Sequence, residues 1–361
     1  MAPMTRLALL AVVFVDLIGQ GLVFPIINTL MMGRNAGFLP VSTPIATREF
    51  NYGLIIGIFF LCWFLGAAYI VKVSDAIGRK SATDAEQARN MGYIVAGISA
   101  GLVGGPIIGG VLSDKEIVGS LASIALPFYV ALALVAITII LILVSFEDVR
   151  QEREKYRFEP LEIFTLLLRV FRNPVVFRLS LVFFWFMLAN VSFYIFFDNY
   201  LTARFGIGLF GTSMAMMMLG IAVAISSSLL VEPAQERLNK RAIVAAISAV
   251  MASSVLVFSL ADTPLVCYLT IGTFYFGFGI AYPTLLGIFS ASVGNDEQGW
   301  VMGITTAQFT LAAGIISLIG GDLMGIDIRF PFFVTIGAAL MALLMMVLTW
   351  RTAAIKRITQ K

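Results

Sequence analysis

Apolar residues run along this chain in blocks of about 20, separated by short polar or charged breaks, from Leu7 to Trp350. A block of that length crosses the hydrocarbon of a bilayer as an α-helix rising 1.5 Å per residue. The pattern predicts ten spans: Leu7–Met32, Tyr52–Val71, Met91–Leu112, Leu121–Ser145, Val176–Tyr200, Gly208–Val231, Ala242–Leu260, Leu265–Val293, Trp300–Leu323 and Pro331–Trp350. A barrel is excluded, because its strands would alternate polar and apolar positions. The chain is therefore expected to be an all-α integral membrane protein.

The stretch from Val71 to Leu112 gives the pattern its character. A charged turn, Asp75-Ala76-Ile77-Gly78-Arg79-Lys80, leads to an apolar span carrying Gly101, Gly105, Pro106, Gly109 and Gly110. A helix so rich in glycine is a poor prospect in water. In a bilayer it is reasonable, since small residues let neighbouring helices approach closely, and Gly101, Gly105 and Gly109 keep the four-residue spacing that does so. Pro106 permits a local bend.

Composition agrees: 60% of the 361 residues are apolar and 12% charged, too few charges for a normally solvated surface. No segment between spans is long enough for a separate catalytic domain. Cys62 and Cys267 fall inside apolar runs and read as small core residues. The chain has no histidine, the commonest general base, and it shows no nucleophile-and-base pair, metal cluster or phosphate loop. An enzyme, a cofactor and a metal are therefore not expected, nor is a nucleic-acid partner.

The net charge of +3 matters less than its placement. Arg79, Lys80 and Arg89 share one loop; Arg150, Arg153, Lys155, Arg157, Arg169 and Arg172 the next on that side; then come Arg237, Lys240 and Arg241, and finally Arg351, Lys356 and Arg357. The opposite loops are poorer, with Arg34, Arg48, Lys115, Arg204 and Arg329. The bias places both termini in the cytoplasm, with the protein multi-pass in the inner (plasma) membrane. The first apolar run lacks a small-residue cleavage pattern and reads as a span, not a signal peptide.

An internal repeat appears at an offset of 211 positions: Glu86-Gln87, Met91-Gly92 and Gly109-Gly110 recur as Glu297-Gln298, Met302-Gly303 and Gly320-Gly321. The chain is thus expected to contain two related halves, as repeat-built transporters do. Leu7 precedes Met91 by 84 positions, whereas Val176 precedes Met302 by 126. The first half is short by 42 positions, about two spans, and the natural place for them is directly after Lys80. The expected organisation is a shortened helical bundle over 1–146, a cytoplasmic linker over 147–174 and a six-helix bundle over 175–361. In the linker, Leu161, Phe164, Leu167, Leu168 and Phe171 recur at helical spacing, which predicts an amphipathic helix on the membrane surface.

These residues resemble the major facilitator superfamily, specifically its drug:proton antiporters of the tetracycline-efflux type. Asp75, Gly78, Arg79 and Lys80 look like the loop motif between family helices two and three. Gly101, Gly105, Pro106, Gly109 and Gly110 resemble the antiporter motif of family helix five, and Asp16 within FVDLIGQGLVFP looks like the start of family helix one. Val71 stands where the family loop motif usually opens with glycine. The resemblance implies a two-bundle, alternating-access transporter, here with the twelve-helix pattern less two. It implies that the absent segment includes family helix four, whose embedded arginine takes part in proton coupling. It also implies a latch, in which Asp75 meets a helix N-terminus in the other half, where the helix dipole favours an anion.

Asp16 lies nine residues past Leu7 and hence roughly 14 Å deep, near mid-bilayer. A carboxylate there is costly and marks an ion or proton pathway, so Asp16 is the expected proton carrier. Gln20, one turn on, shares its face. Asn190, Tyr194 and Asp198 form a stripe at spacings of four that either binds substrate or, at Asp198, anchors the helix at the interface. Gln308 is the other polar candidate of the second half. Phe183, Phe184, Trp185 and Phe186 are consecutive and point all round their helix. The expected function is export of a small amphipathic organic compound in exchange for protons, by a monomer; a uniporter or importer of the same fold, or a non-transporting partner or sensor, are the alternatives.

Overall fold

The computed structural model describes residues 26–33, 38–78 (backbone only over 66–78), 103–105, 107–112, 115–123, 125–145, 168–294 and 297–360, with single positions at 11, 14, 15, 18, 19, 101 and 165. The described elements are helical: α1 (Ile45–Gly78), α2 (Leu126–Ser145), α3 (Pro174–Phe205), α4 (Leu209–Leu229), the short α5 (Val231–Arg237), α6 (Lys240–Leu260), α7 (Pro264–Ser290), α8 (Gln298–Ile326), α9 (Phe330–Thr349) and the short α10 (Ala353–Thr359). Among the described residues seven helices are long and apolar enough to cross a membrane. Of the predicted spans Leu7–Met32 and Met91–Leu112, only parts lie within the described residues, and the described positions of 26–32 and 101–112 are helical.

Helix ends follow local chemistry. Asn173 caps α3: its Oδ1 accepts from the N–H groups of Val175 and Val176 at 3.1 and 3.2 Å, and Pro174 opens the helix where a missing N–H costs nothing. The helix then runs past the predicted end at Tyr200 to Phe205, because the terminator is Gly206, which takes φ +67°. Its N–H and that of Ile207 bond back to the carbonyls of Thr202 and Leu201, closing the last turn. Asn239 caps α6 through a 2.8 Å bond from the Ala242 N–H. Pro264 starts α7 in the same permissive position.

The Cα positions group into two compact units. The first comprises 1–41, 80–152 and 198–224; the second comprises 42–79, 153–197 and 225–361. Each draws on early and late parts of the chain.

In the first unit, Ile26, Asn28 and Met31 are buried, as are Asp198, Asn199, Tyr200 and Leu201 at the end of α3 and Thr212, Ser213 and Ala215 at the start of α4. α2 instead exposes Leu132, Ile140, Leu143 and Val144. An apolar exposed face is what a lipid-facing helix requires.

The second unit is centred on Phe193, whose ring lies 5.1 Å from that of Phe258, 4.6 Å from Phe274 and 6.0 Å from Phe332. This joins α3, α6, α7 and α9. Lipid tails are as apolar as these rings, so the contact stabilises through close packing and edge-to-face geometry more than through removal from water. Ser192 Oγ donates a 2.8 Å hydrogen bond to the carbonyl of Pro331 and ties α3 to the first turn of α9.

Candidate functional site

α3 and α7 form a ring-lined wall in the second unit. Phe186 stacks on Phe278 at 5.8 Å with planes 10° apart, and Phe278 stacks on Tyr282 at 5.3 Å and 12°. Phe183 approaches Tyr282 at 6.4 Å, and Tyr275 approaches Phe278 at 6.1 Å. The rings on α7 recur at steps of three and four because those positions share a helix face. Phe183 and Phe186 are fully buried here, while Phe184 and Trp185 are half-exposed, so the aromatic quartet divides between wall and periphery.

Polar atoms are set into this wall. Asn190 follows Phe186 by one turn and is buried, and among the described residues its Oδ1 has no hydrogen-bond partner, nor has the buried hydroxyl of Tyr275. Pro283 lies inside α7 and has no N–H to offer the carbonyl of Gly279, a further acceptor beside Tyr282. Tyr194, one turn beyond Asn190, is half-buried. A buried acceptor left unmatched costs on the order of 1–3 kcal/mol. Such atoms are rare in packed membrane helices and typical of places where something else supplies the partner.

Gln308 lies on α8, is buried, and its Oε1 also lacks a partner among the described residues. It therefore shares the second unit and the chemistry of Asn190. Asp198 is fully buried in the first unit, where its Oδ1 accepts from the Asn199 N–H at 2.8 Å. The same unit holds other buried polar groups: Asn28 Nδ2 donates to Thr202 Oγ1 at 3.4 Å, and Thr212 and Ser213 are buried. Helix α3 continues well past Asp198, so this carboxyl group does not mark the helix end.

The glycine motif acts through packing. Gly101, Gly105, Gly109 and Gly110 are buried in the first unit, and a Cβ on Gly110 would stand 2.9 Å from Ser213 Cβ and 3.1 Å from its Oγ. The repeat partner Gly321 does the same in the second unit: a Cβ there would overlap the carbonyl of Glu49, and one on Gly320 would overlap the ring of Phe196. Gly110 in the first unit and Gly320 and Gly321 in the second thus stand at close helix contacts. Asp16, Gln20, Arg79, Lys80 and Pro106 lie outside the described residues, as does the side chain of Asp75; the backbone of Asp75 and Gly78 is helical, within the last turns of α1.

Sequence reasoning missed the seam between α1 and α8. Gly53 faces the carbonyl of Ser317, Gly57 faces Leu318, Gly314 faces Leu61 and Gly325 faces Ala46, so the two helices run antiparallel at close range. Phe60 and Trp63 then close on Phe309 at 5.8 and 5.7 Å. Arg48, a loop residue by the charge pattern, lies with Glu49 in the first turns of α1, and both are buried. Glu49, Gly53 and Gly57 at steps of four were the available signal.

In the second unit the segment just before α3 is fastened to the start of α8. Arg169 pairs with Glu297 and lies over the ring of Trp300, 4.5 Å from its centroid. Gln235 Nε2 on α5 donates to Thr284 Oγ1 on α7 at 3.1 Å.

Comparison with known proteins places this geometry. Residues 80–317 match the sequence profile of the Major Facilitator Superfamily. Over 371 aligned residues the chain is 24% identical to Multidrug resistance protein 1 of Bacillus subtilis (strain 168), covering 91% of this chain and 92% of that protein. It is 22% identical to Multidrug resistance protein 2 of the same organism, covering 90% of each. The solved structure of the human organic anion transporter MFSD10 (TETRAN) superposes with a TM-score of 0.63 at 14% identity, over 96% of this chain and 100% of that one.

Proposed function

The chain belongs to the Major Facilitator Superfamily, and on that premise we propose that this multi-pass membrane transporter exports a small amphipathic organic compound in exchange for protons by alternating access. The observation that carries the substrate class is the α3–α7 wall, where stacked rings surround buried acceptors without partners. Rings take a flat apolar body, and the oxygens of Asn190 and Gln308 take its hydrogen-bond donors. Tyr194 extends the polar contacts of this wall, and Asp198 is a separate polar candidate in the first unit. The names of the two Bacillus relatives support efflux as the direction.

Asp16 is the proton carrier of this reading, with Gln20 on the same face. Asp75, Gly78, Arg79 and Lys80 form the gate motif on the cytoplasmic side, and the distribution of Lys and Arg supports cytoplasmic termini. The test is transport of a fluorescent amphipathic cation into proteoliposomes under an imposed pH gradient. Asp16→Asn abolishes gradient-driven transport while the protein still folds; transport unchanged in this variant removes the proton-carrier role. A uniporter would be indifferent to reversal of the gradient.

A second reading, a non-transporting partner or sensor, is favoured by the short first half. The match to Multidrug resistance protein 1 extends over 371 positions, but 91% of the 361-residue chain supplies only about 329 of them, leaving about 42 without a counterpart here. The superfamily match also begins at Lys80, the expected break. Intact mass and the coding sequence between Lys80 and Ser81 separate the two readings: about 40 additional residues there restore the twelve-helix transporter.

A further inference from the structure

We propose that the edge of the second unit where α3 and α6 begin and α9 ends is a binding site for the headgroup of an anionic phospholipid. Three span ends meet there on one residue. Trp350, fully buried directly after α9, donates from its indole Nε1 to the carbonyl of Arg178 at 3.3 Å, and its own carbonyl accepts from Arg241 Nη1 at 3.4 Å. Arg351 follows, held by a 2.8 Å bond from its Nε to the carbonyl of Val347. Lys356 and Arg357 stand exposed on α10, which is pinned to the bundle by the buried Ile355.

Among the described residues no carboxylate compensates these cations. Among the described residues Arg178, Arg241, Arg351, Lys356 and Arg357 make no ion pair, and the nearby carboxylates are otherwise disposed: Glu297 pairs with Arg169, while Glu232 and Glu236 on α5 make no ion pair with them. Topology alone accounts for basic residues at this edge. It does not account for two guanidinium groups, those of Arg241 and Arg351, held on the main-chain carbonyls of Trp350 and Val347, with an apolar strip leading up to them.

That strip is Leu344, Val347 and Leu348 on the last turns of α9, each roughly half-exposed. Acyl chains lie along it, and the carbonyl of Val347 that anchors Arg351 marks where the strip ends and the cations begin. Chain and headgroup contacts in that sequence match one partner, a phospholipid bearing a phosphate and net negative charge. The proposal is independent of the transport reading.

The test is native mass spectrometry of the full chain in detergent with equal amounts of dioleoylphosphatidylglycerol and dioleoylphosphatidylcholine. Phosphatidylglycerol adducts dominate, and Arg241→Gln or Arg351→Gln lowers the preference about five-fold each. Arg351 is exposed, so its replacement leaves packing intact. Arg329→Gln, at the opposite end of α9, leaves the preference unchanged. Equal retention of the two lipids, an unaltered preference in Arg351→Gln, or an equal loss in Arg329→Gln overturns the proposal.

Discussion

The hydroxyl of Tyr52 on α1 donates a 2.9 Å hydrogen bond to the main-chain carbonyl of Ile195 on α3, and both residues are buried in the second unit. The Tyr52 ring also meets Phe196 edge-on at 6.3 Å. Tyr52→Phe keeps the ring and removes the bond. It is expected to lower stability by about 1 kcal/mol, read as a lower midpoint in thermal melting of the purified protein.

Along the α1–α8 seam the expected effect of glycine replacement depends on what faces it. Gly53→Ala drives a methyl group into the carbonyl of Ser317. A helix interior otherwise favours alanine over glycine by about 1 kcal/mol, so this site should invert that rule and lose about 1–3 kcal/mol. Gly287→Ala on α7, with nothing within 4 Å of the added carbon, should be neutral or stabilising. Melting of the two variants side by side checks the contrast.

Gly110 and Ser213 are expected to be coupled. Gly110→Ala crowds Ser213 and should reduce both stability and transport, whereas adding Ser213→Gly opens the space again. A double-mutant cycle should therefore give an interaction energy of about 0.5–3 kcal/mol. Strict additivity would show that the two helices do not meet through this pair.

Asn190 should trade stability against binding. Asn190→Leu replaces an unmatched buried amide with an apolar side chain of similar size, which is expected to raise stability by about 1 kcal/mol. Loss of the acceptor should weaken substrate, with KM rising about ten-fold for one hydrogen bond. A melting curve and a transport titration of the same preparation test both halves.

Much of the fold was legible because the bilayer sets one length for every span. The apolar blocks therefore located the seven described long helices, and the repeat of Gly109-Gly110 at Gly320-Gly321 picked out Gly110, Gly320 and Gly321, which sit at close helix contacts. Helix ends were less legible. Arg48 and Glu49 look like loop residues by charge, and Asp198-Asn199-Tyr200 looks like a membrane exit. Both groups are instead buried within helices, because α1 starts at Ile45 and α3 runs on to Gly206.

By itself, the sequence determined that this is an all-helical membrane protein and where its apolar helices lie, since those properties depend on composition and periodicity within each segment. Tertiary structure alone decided that Gly53 meets Ser317, that Phe186 stacks on Phe278, and that Arg241 converges on Trp350. Each of these joins residues distant in the chain, and their pairing depends on the three-dimensional fit of one helix surface to another. Local pattern shows that a face is small, aromatic or basic; only packing selects what it faces.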